Sequence, residues 1–174
     1  QKVIDGMIFD GLWDPYNDQH MGNCAELCAK EYAFTREAQD AYAISSFKRA
    51  QEAQSKGYFK NEIVPVQIAG KKGEMTSVDS DEGPAKVQFD KIPGLKPVFD
   101  KAGSVTAANA STINDGAAAL VLMSAEKARA MGLKPLVRIV AYGGHAQAPE
   151  WFTTSPVGAM KKTAEKAGWA LDQI

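Results

Sequence analysis

The pattern of apolar and polar positions divides the chain into a helical first part and a second part in which strands and helices alternate. Ala43, Phe47 and Ala50 recur at i, i+4 and i+7, a spacing that predicts a helix with one apolar stripe. Thr35 is the expected N-cap of this helix and Gly57 its expected stop. A shorter helix, capped by Asn23, is predicted before it. Residues 1–20 contain two glycines, one proline and four aspartates and are predicted to form a loop.

A hairpin is predicted after the long helix. Residues 62–68 are rich in β-branched side chains and favour a strand, although Pro65 restricts this strand to an edge or a bulge. The turn at 70–73 leads into a second strand at Met75–Val78. Residues 79–83 are acidic and predict an exposed loop. Residues 86–101 fit neither periodicity, and an irregular surface segment of this kind more often binds a ligand than builds a core.

The second part predicts a layered α/β arrangement. Residues 117–123 and 136–142 are short apolar runs and are interpreted as buried strands. Ser124 is the expected cap of a helix that ends before Gly132. Ser155 and Pro156 are the expected cap and first residue of a helix that runs to Ala167. Alternation of strands with helices indicates an α/β fold, and the earlier part is predicted to be a separate α-rich region with a hairpin.

Composition narrows the classes of function. Among 174 residues, 45% are apolar and 24% charged, and 20 basic against 21 acidic residues leave a net charge of −1. No overall field therefore attracts nucleic acid or an anionic membrane, and no apolar run approaches the ~20 residues of a membrane span. We expect neither nucleic acid nor a membrane as a partner, and a local cluster of cations would have to hold any anionic ligand.

The cysteines and histidines give little support for a disulfide or a metal site. Cys24 and Cys28 have helical i, i+4 spacing, which rarely suits a disulfide, so we expect reduced and packed thiols. His20 and His145 lie far apart in the sequence, and no metal ligand set is predicted. Reduced thiols favour a cytoplasmic protein, with a mitochondrial or other organellar location left open.

Several segments, taken together and in order, resemble the thiolase family. They include Thr35-Arg36-Glu37 and the run from Asn61 to Val66. The others are His20-Met21-Gly22 with Cys24-Ala25-Glu26, Gln39-Asp40, Leu95-Lys96-Pro97-Val98-Phe99-Asp100, and Gly103-Ser104-Val105-Thr106-Ala107-Ala108-Asn109-Ala110-Ser111 with Asn114-Asp115-Gly116-Ala117-Ala118. One such motif would be weak evidence, whereas five in register along the whole chain are strong evidence.

The resemblance implies a fold and a domain division. We expect an α/β fragment of the thiolase fold: a loop domain that covers coenzyme A at residues 1–102, the last strand and helix of the N-terminal half at 103–133, and the start of the C-terminal half at 134–174. The nucleophilic cysteine and the acid/base cysteine of the family match no position in this sequence. No catalytic residue is therefore assigned, and the 174 residues alone are expected to be inactive.

The resemblance also implies an activity. An acetyl-CoA acetyltransferase reversibly condenses two acetyl-CoA into acetoacetyl-CoA and coenzyme A. The expected ligands are acetyl-CoA and acetoacetyl-CoA, and the expected assembly is a homodimer or homotetramer, because residues 1–11 resemble the arm that joins thiolase subunits. The alternatives are a non-catalytic acyl-CoA-binding relative and a purely structural loop domain.

The resemblance assigns binding residues, none of which the pattern alone would single out. On the residues alone, the lysines would belong to a solvated face, and Phe99 would suit a core equally well. By resemblance, the nucleotide end and pantetheine arm of coenzyme A contact Lys86, Val87, Gln88, Lys91, Phe99, Ala107 and Ser111. The other substrate-binding positions are grouped here as the acyl-end positions: Leu12, His20, Met21 and Phe152. By resemblance, Met21 and Phe152 face the acyl group, and His20 lies at the mouth of the substrate tunnel.

No cofactor is expected, since coenzyme A is a substrate and product. Potassium binding is left open by the resemblance. Phe47 stands where potassium-responsive thiolases have a tyrosine, and it lacks the hydroxyl that a cation would use. The carbonyls of residues 107–110 match the rest of that potassium site.

Overall fold

The computed structural model describes residues 3–174 as two compact units. The first unit contains the chain up to Cys28 together with Thr112–Ile174, and the second contains Ala29–Ser111. Each unit groups residues of this chain that lie close to one another in space. The predicted domain boundaries at residues 102 and 133 refer to the complete thiolase fold and stay predictions.

The chain begins with a short helix and a small hairpin, so the prediction of a loop over residues 1–20 is wrong for this part of the described chain. Helix α1 is Gly6–Gly11, and Asp5 caps it by accepting a hydrogen bond from the Met7 N–H at 2.9 Å. Strands β1 (Trp13–Asp14) and β2 (Gln19–His20) pair antiparallel. The aspartates that suggested a loop instead cap the helix and close the turn of the hairpin.

Helix α2 spans Met21–Glu31 and begins before the predicted cap at Asn23. That prediction is wrong because His20, the residue directly before α2, supplies the cap. The Nδ1 atom of His20 accepts the Gly22 N–H at 2.9 Å and so satisfies one of the unpaired amides of the first turn.

Helix α3, Arg36–Ser55, matches its predicted signals. The Thr35 hydroxyl accepts the Ala38 N–H at 3.1 Å, which is the expected cap. Gly57 follows the helix with φ +66°, a left-handed conformation that glycine adopts without a steric penalty. The predicted cap and stop are both confirmed.

The predicted hairpin is confirmed, with a shorter first strand. Strand β3 (Val66–Ala69) pairs antiparallel with β4 (Met75–Val78), and Val66 lies opposite Val78. The chain before β3 forms a turn in which the Ile63 N–H bonds to the Phe59 carbonyl at 3.0 Å. Pro65 therefore lies just outside the strand, where its missing N–H interrupts no ladder.

The segment after the hairpin is irregular, as predicted. Residues 79–83 are exposed and outside any helix or strand. Two short 3₁₀ helices follow, Pro84–Lys86 and Phe89–Gly94. Ile92 is 2% exposed and fixes the second 3₁₀ helix to the interior of its unit.

Helices α4 (Ala125–Ala130) and α5 (Ser155–Ala167) lie in the first unit. The Ser124 hydroxyl caps α4 by accepting the Lys127 N–H at 3.1 Å, as predicted. The N-cap of α5 is Thr154 rather than Ser155, one residue before the prediction, because a 3₁₀ helix at Pro149–Thr154 leads directly into it. A final 3₁₀ helix spans Leu171–Gln173.

The two apolar runs predicted as buried strands form no strand in the described structure. Residues 117–123 and 136–142 belong to no helix and to neither of the two sheets. Leu120 is 88% exposed and Leu136 is 99% exposed. The prediction is wrong for this chain because a strand requires a neighbouring strand to accept its backbone hydrogen bonds, and none of residues 3–174 takes that position.

Over residues 3–174, every helix is too short or too polar to cross a bilayer.

Candidate functional site

Residues 80–95, which contain most of the predicted nucleotide-binding positions, lie along helix α3 and run opposite to it. The Gln54 side-chain amide donates to the carbonyl of Asp81 at 2.8 Å. One turn earlier in the helix, the Gln51 amide donates to the carbonyl of Pro84 at 2.7 Å. Both bonds run from a helix side chain to the main chain of the segment, so they fix its path.

Arg36, at the start of α3, holds the other end of this segment. Its Nη2 atom donates to the carbonyls of Ile92 at 3.0 Å and Leu95 at 2.9 Å. Its Nε atom donates to the Asp40 carboxylate at 2.7 Å. A guanidinium has donors in a fixed planar arrangement and suits several acceptors at once, so one side chain closes the 3₁₀ helix and joins it to α3.

The predicted cations lie on the segment held in this way. Lys86 Nζ pairs with Glu82 Oε2 at 2.5 Å, and both side chains are largely exposed. The hydrogen bond from Lys86, and then its charge, lower the pKa of Glu82. Lys91 lies in the 3₁₀ helix, is exposed, and has no ion pair among the described residues. Lys48 lies over the Phe89 ring at 5.8 Å from its centroid.

Asp40 also orders the small-residue segment at 104–110. Its second oxygen accepts the Asn109 amide at 3.0 Å. The Asn109 side chain in turn accepts the Thr106 N–H at 2.7 Å and donates to the Ser104 carbonyl at 3.0 Å. Thr106 is fully buried and Asp40 is 6% exposed. Buried polar groups are costly unless they are paired, and in this cluster each pairs with a neighbour.

Two further bonds join the small-residue segment to its surroundings. The Gln39 amide donates to the Ser104 hydroxyl at 2.8 Å. The Val98 N–H donates to the Val105 carbonyl at 3.0 Å, next to Phe99. One framework on α3 therefore positions both of the segments that the resemblance assigns to coenzyme A.

The structure brings the nucleotide and pantetheine positions into the second unit and leaves them accessible. Two of their side chains are half-buried, Val87 and Phe99, and the others are exposed: Lys86, Gln88, Lys91, Ala107 and Ser111. Their roles in binding stay predictions.

Three of the acyl-end positions lie together in the first unit. Leu12 directly precedes β1, His20 ends β2, and Met21 begins α2, and all three are half-buried. The Met21 N–H donates to the Leu12 carbonyl at 2.9 Å. The His20 Nδ1 atom accepts the Gly22 N–H, so the first turn of α2 orients the His20 ring.

Phe152, the fourth acyl-end position, lies in the 3₁₀ helix Pro149–Thr154 and is 36% exposed. The Gln147 amide braces this turn by donating to the Trp151 carbonyl and to the Thr154 hydroxyl, the latter at 2.6 Å. The Asn17 amide donates to Glu150 Oε2 at 3.3 Å. The turn is therefore held from within and from the β1–β2 hairpin.

Cys24 does not have the surroundings of a nucleophile. Cys24 and Cys28 are free thiols, and Cys24 is fully buried. Burial, and then the negative charges of Asp14 and Glu150, raise the pKa of the Cys24 thiol, whereas reactive cysteines have a lowered pKa. A role for Cys24 in packing follows from these surroundings.

No three His, Cys, Asp or Glu side chains within residues 3–174 are grouped to hold a metal ion. Phe47 is half-buried on α3, and the prediction on potassium stays a prediction.

Sequence reasoning missed the residues that build the framework. Arg36, Asp40 and Asn109 were part of the family motifs but received no role. Arg36 and Asp40 stand at i, i+4 on a predicted helix, which is a signal for a local ion pair. Nothing in the sequence pattern indicates that Asn109 completes it, or that Asn17 meets Glu150.

Comparison with known proteins gives one consistent result. The family model described as "Thiolase, N-terminal domain" matches residues 1–126. A probable acetyl-CoA acetyltransferase of Dictyostelium discoideum is 50% identical over 174 residues, which are 100% of this chain and 42% of that protein. An acetyl-CoA acetyltransferase of Yarrowia lipolytica is 52% identical over 174 residues, 100% of this chain and 44% of that protein.

Solved structures agree with the sequence matches. The Acat5 thiolase of Ascaris suum in complex with coenzyme A superposes with a TM-score of 0.93 at 40% identity, covering 100% of this chain and 44% of that one. The acetyl-CoA acetyltransferase of Bacillus anthracis gives 0.92 at 42% identity, covering 99% of this chain and 44% of that one. The chain thus spans less than half the length of the relatives that it matches.

Proposed function

Because this chain belongs to the thiolase family, we propose that it supplies the coenzyme A-binding and acyl-positioning part of an acetyl-CoA acetyltransferase. The observation that carries the proposal is the 50–52% identity with acetyl-CoA acetyltransferases along the whole chain. The Ascaris suum relative was crystallised with coenzyme A, which supports the same ligand here. We use the term whole protein for the natural polypeptide that contains this chain.

The proposed reaction joins two acetyl-CoA molecules. The methyl carbon of one loses a proton and attacks the acetyl carbonyl carbon of the other, whose thioester bond breaks, and the products are acetoacetyl-CoA and free coenzyme A. In the family a cysteine first carries the acetyl group. The share of this chain is to bind and orient both substrates, which removes much of the entropic part of the barrier.

The second unit suits the nucleotide end of coenzyme A. Lys86 and Lys91 present ammonium groups to solvent on a segment whose path α3 fixes. Phosphate groups bind lysine as a point charge. The pair between Lys86 and Glu82 supplies a counter-charge that a phosphate would displace. Ala107 lies on the small-residue segment and Ser111 directly follows it, and both side chains leave room for the pantetheine arm.

The first unit suits a short acyl group. Met21 and Phe152 are large apolar side chains on backbone that is held by hydrogen bonds on both sides. Two such walls leave space for an acetyl or acetoacetyl group, and Phe152 is also compatible with a 2-methyl branch. Cleavage of 3-ketohexadecanoyl-CoA as fast as acetoacetyl-CoA would contradict this part of the proposal.

The proposed assembly is a homodimer or homotetramer. Gln1 and Lys2 of the predicted subunit-joining arm lie outside the described residues. Further along the arm, Val3 is 99% exposed and Phe9 is 56% exposed, and exposed apolar side chains of this kind favour a subunit contact. Light scattering of the whole protein and of a Phe9→Glu variant tests this, with dissociation expected in the variant.

The proposed activity is tested by supplying the whole protein with acetoacetyl-CoA and coenzyme A and measuring acetyl-CoA by mass spectrometry. Two acetyl-CoA are expected for each acetoacetyl-CoA consumed. Binding of coenzyme A without any formation of acetyl-CoA would contradict the proposed activity. The substrate-free protein and a sample without coenzyme A are the controls.

A further inference from the structure

A single asparagine amide joins the two elements that hold the acyl-end positions. Within the β1–β2 hairpin, Asp14 Oδ2 accepts the Asn17 amide at 2.7 Å, and Asp14 Oδ1 accepts the backbone N–H groups of Tyr16 and Asn17 at 3.0 and 3.4 Å. Asp14 itself is 7% exposed. The Asn17 side chain is therefore fixed in direction by its own turn.

The same amide nitrogen reaches a second carboxylate. Asn17 Nδ2 donates to Glu150 Oε2 at 3.3 Å, although the two residues are 133 positions apart in the sequence. A primary amide nitrogen has two hydrogens, so it serves one carboxylate with each. The neutral Asn17 side chain thus holds two negative groups near each other.

The two bridged carboxylates also act on one thiol of α2. Burial, and then the charges of Asp14 and Glu150, raise the pKa of Cys24. Asp14, Cys24 and Glu150 all belong to the first unit.

The bridge joins the two elements that carry the walls of the proposed acyl pocket. Met21 directly follows β2, on the hairpin side of the bridge. Phe152 comes two residues after Glu150, on the other side. We propose that Asn17 is a positioning residue that sets the distance between these walls and thereby the length of acyl group that the protein accepts. This inference rests on the proposed function.

The charges of Asp14 and Glu150 determine how loss of the Asn17 amide changes the distance between the two walls. In Asn17→Ala, the Asp14 and Glu150 carboxylates face each other without a donor between them, and their repulsion moves the walls apart. In Glu150→Ala, the tether is lost but no repulsion replaces it. In the double variant, the repulsion is also absent. We therefore expect the largest effect in Asn17→Ala and equal, smaller effects in the other two.

The test compares kcat/KM for thiolysis of 3-ketohexanoyl-CoA with kcat/KM for acetoacetyl-CoA in the whole protein. This ratio is expected to rise about three- to tenfold in Asn17→Ala and about twofold in Glu150→Ala and in the double variant. High salt should reduce the excess in Asn17→Ala, because it screens the repulsion. Glu150→Gln retains an acceptor oxygen and is expected to keep the ratio of the unmodified protein.

Asn114→Ala is the matched control, because the Asn114 amide bonds only to Thr112 in the described structure. A loss of stability with an unchanged ratio in both Asn17→Ala and Glu150→Ala would overturn the positioning role and leave the proposed function intact. Additive effects of the two substitutions would overturn it as well. Absence of thiolysis in the unmodified protein would instead overturn the proposed function together with this inference.

Discussion

The carboxylate of Asp40 accepts hydrogen bonds from two residues that belong to different segments, the Arg36 guanidinium at 2.7 Å and the Asn109 amide at 3.0 Å. Arg36 lies one helical turn away, whereas Asn109 is 69 positions further along the chain. This arrangement couples the order of the small-residue segment to the order of helix α3.

Asn109→Asp is expected to destabilise the whole protein at neutral pH. The substitution keeps the shape but replaces a donor with a second carboxylate beside Asp40, and hydrogen bonds to charged groups contribute about 1.5–3 kcal/mol. Two adjacent carboxyl groups repel each other when both are ionised, so the pKa of one of them rises. That group takes up a proton as the pH falls, which removes the repulsion. The loss in Tm should therefore be larger at pH 7 than at pH 5. Asn114→Asp, at an exposed position, should change Tm little at either pH.

Lys91→Glu is expected to raise the KM for acetyl-CoA about tenfold with little change in kcat. Lys91 is exposed on the segment proposed to bind the nucleotide end of coenzyme A, so its expected contribution is to binding that is equal in the ground state and the transition state. Steady-state kinetics of the whole protein measure both constants. Lys60→Glu makes the same charge change at another exposed position of the second unit and is the control. An unchanged KM in Lys91→Glu would show that Lys91 is merely solvated.

Glu82→Gln is expected to lower the KM for acetyl-CoA about twofold. Glu82 pairs with Lys86, and the proposed contact of Lys86 with a phosphate requires this pair to break. Exposed pairs are weak, so the expected gain is small. Lys86→Gln should raise the KM, and Glu82→Gln added to Lys86→Gln should then have no further effect. A gain that persists in the double variant would assign the effect to overall charge instead.

Cys28 is expected to react with iodoacetamide in the folded protein, whereas Cys24 stays unmodified. Cys24 is fully buried and its pKa is raised above the ordinary value of 9.0, so little thiolate forms. Fragment-ion mass spectrometry of the peptide that contains both residues distinguishes them, and labelling in guanidinium should modify both. The raised pKa means that the folded state binds the Cys24 proton more tightly than the unfolded state does. The contribution of Cys24 to the free energy of unfolding is therefore fully present below pH 9.0, and it declines as the pH rises through the raised pKa. Faster labelling of Cys24 than of Cys28 would be inconsistent with the structure.

The 174 residues expressed alone are expected to aggregate and to show no thiolysis. Leu120, Val121, Leu136 and Val137 are each more than 80% exposed, and extended apolar segments with unpaired backbone groups associate readily. Neither cysteine matches a catalytic motif of the family, and Cys24 is buried with a raised pKa. Size-exclusion chromatography and the acetoacetyl-CoA assay, each beside the whole protein, measure the two outcomes. A soluble monomer with turnover near that of the whole protein would contradict the assignment of catalysis to residues elsewhere.

Elements with local signals could be predicted from the sequence. The caps at Thr35 and Ser124 and the stop at Gly57 are confirmed because a cap depends on a few neighbouring residues. The predicted start of α2 is wrong because His20, which is not among the usual capping residues, supplies the acceptor.

Features that depend on distant contacts could not be predicted. The runs at 117–123 and 136–142 have the composition of strands, but strand formation depends on a partner that sequence composition does not specify. The bond between Asp40 and Asn109, and the bond between Asn17 and Glu150, likewise join residues far apart in sequence. The binding positions came from resemblance to a family, and the framework that holds them became visible only in three dimensions.

The way in which α3 holds residues 80–95 has a consequence for the evolution of this surface. Gln54, Gln51 and Arg36 all donate to main-chain carbonyls of the segment, and every amino acid has such a carbonyl. The path of the segment therefore does not depend on most of the side chains that it displays. Substitutions at exposed positions such as Gln88 and Lys91 can accumulate without refolding, so the chemistry that this surface displays can change while its scaffold is retained.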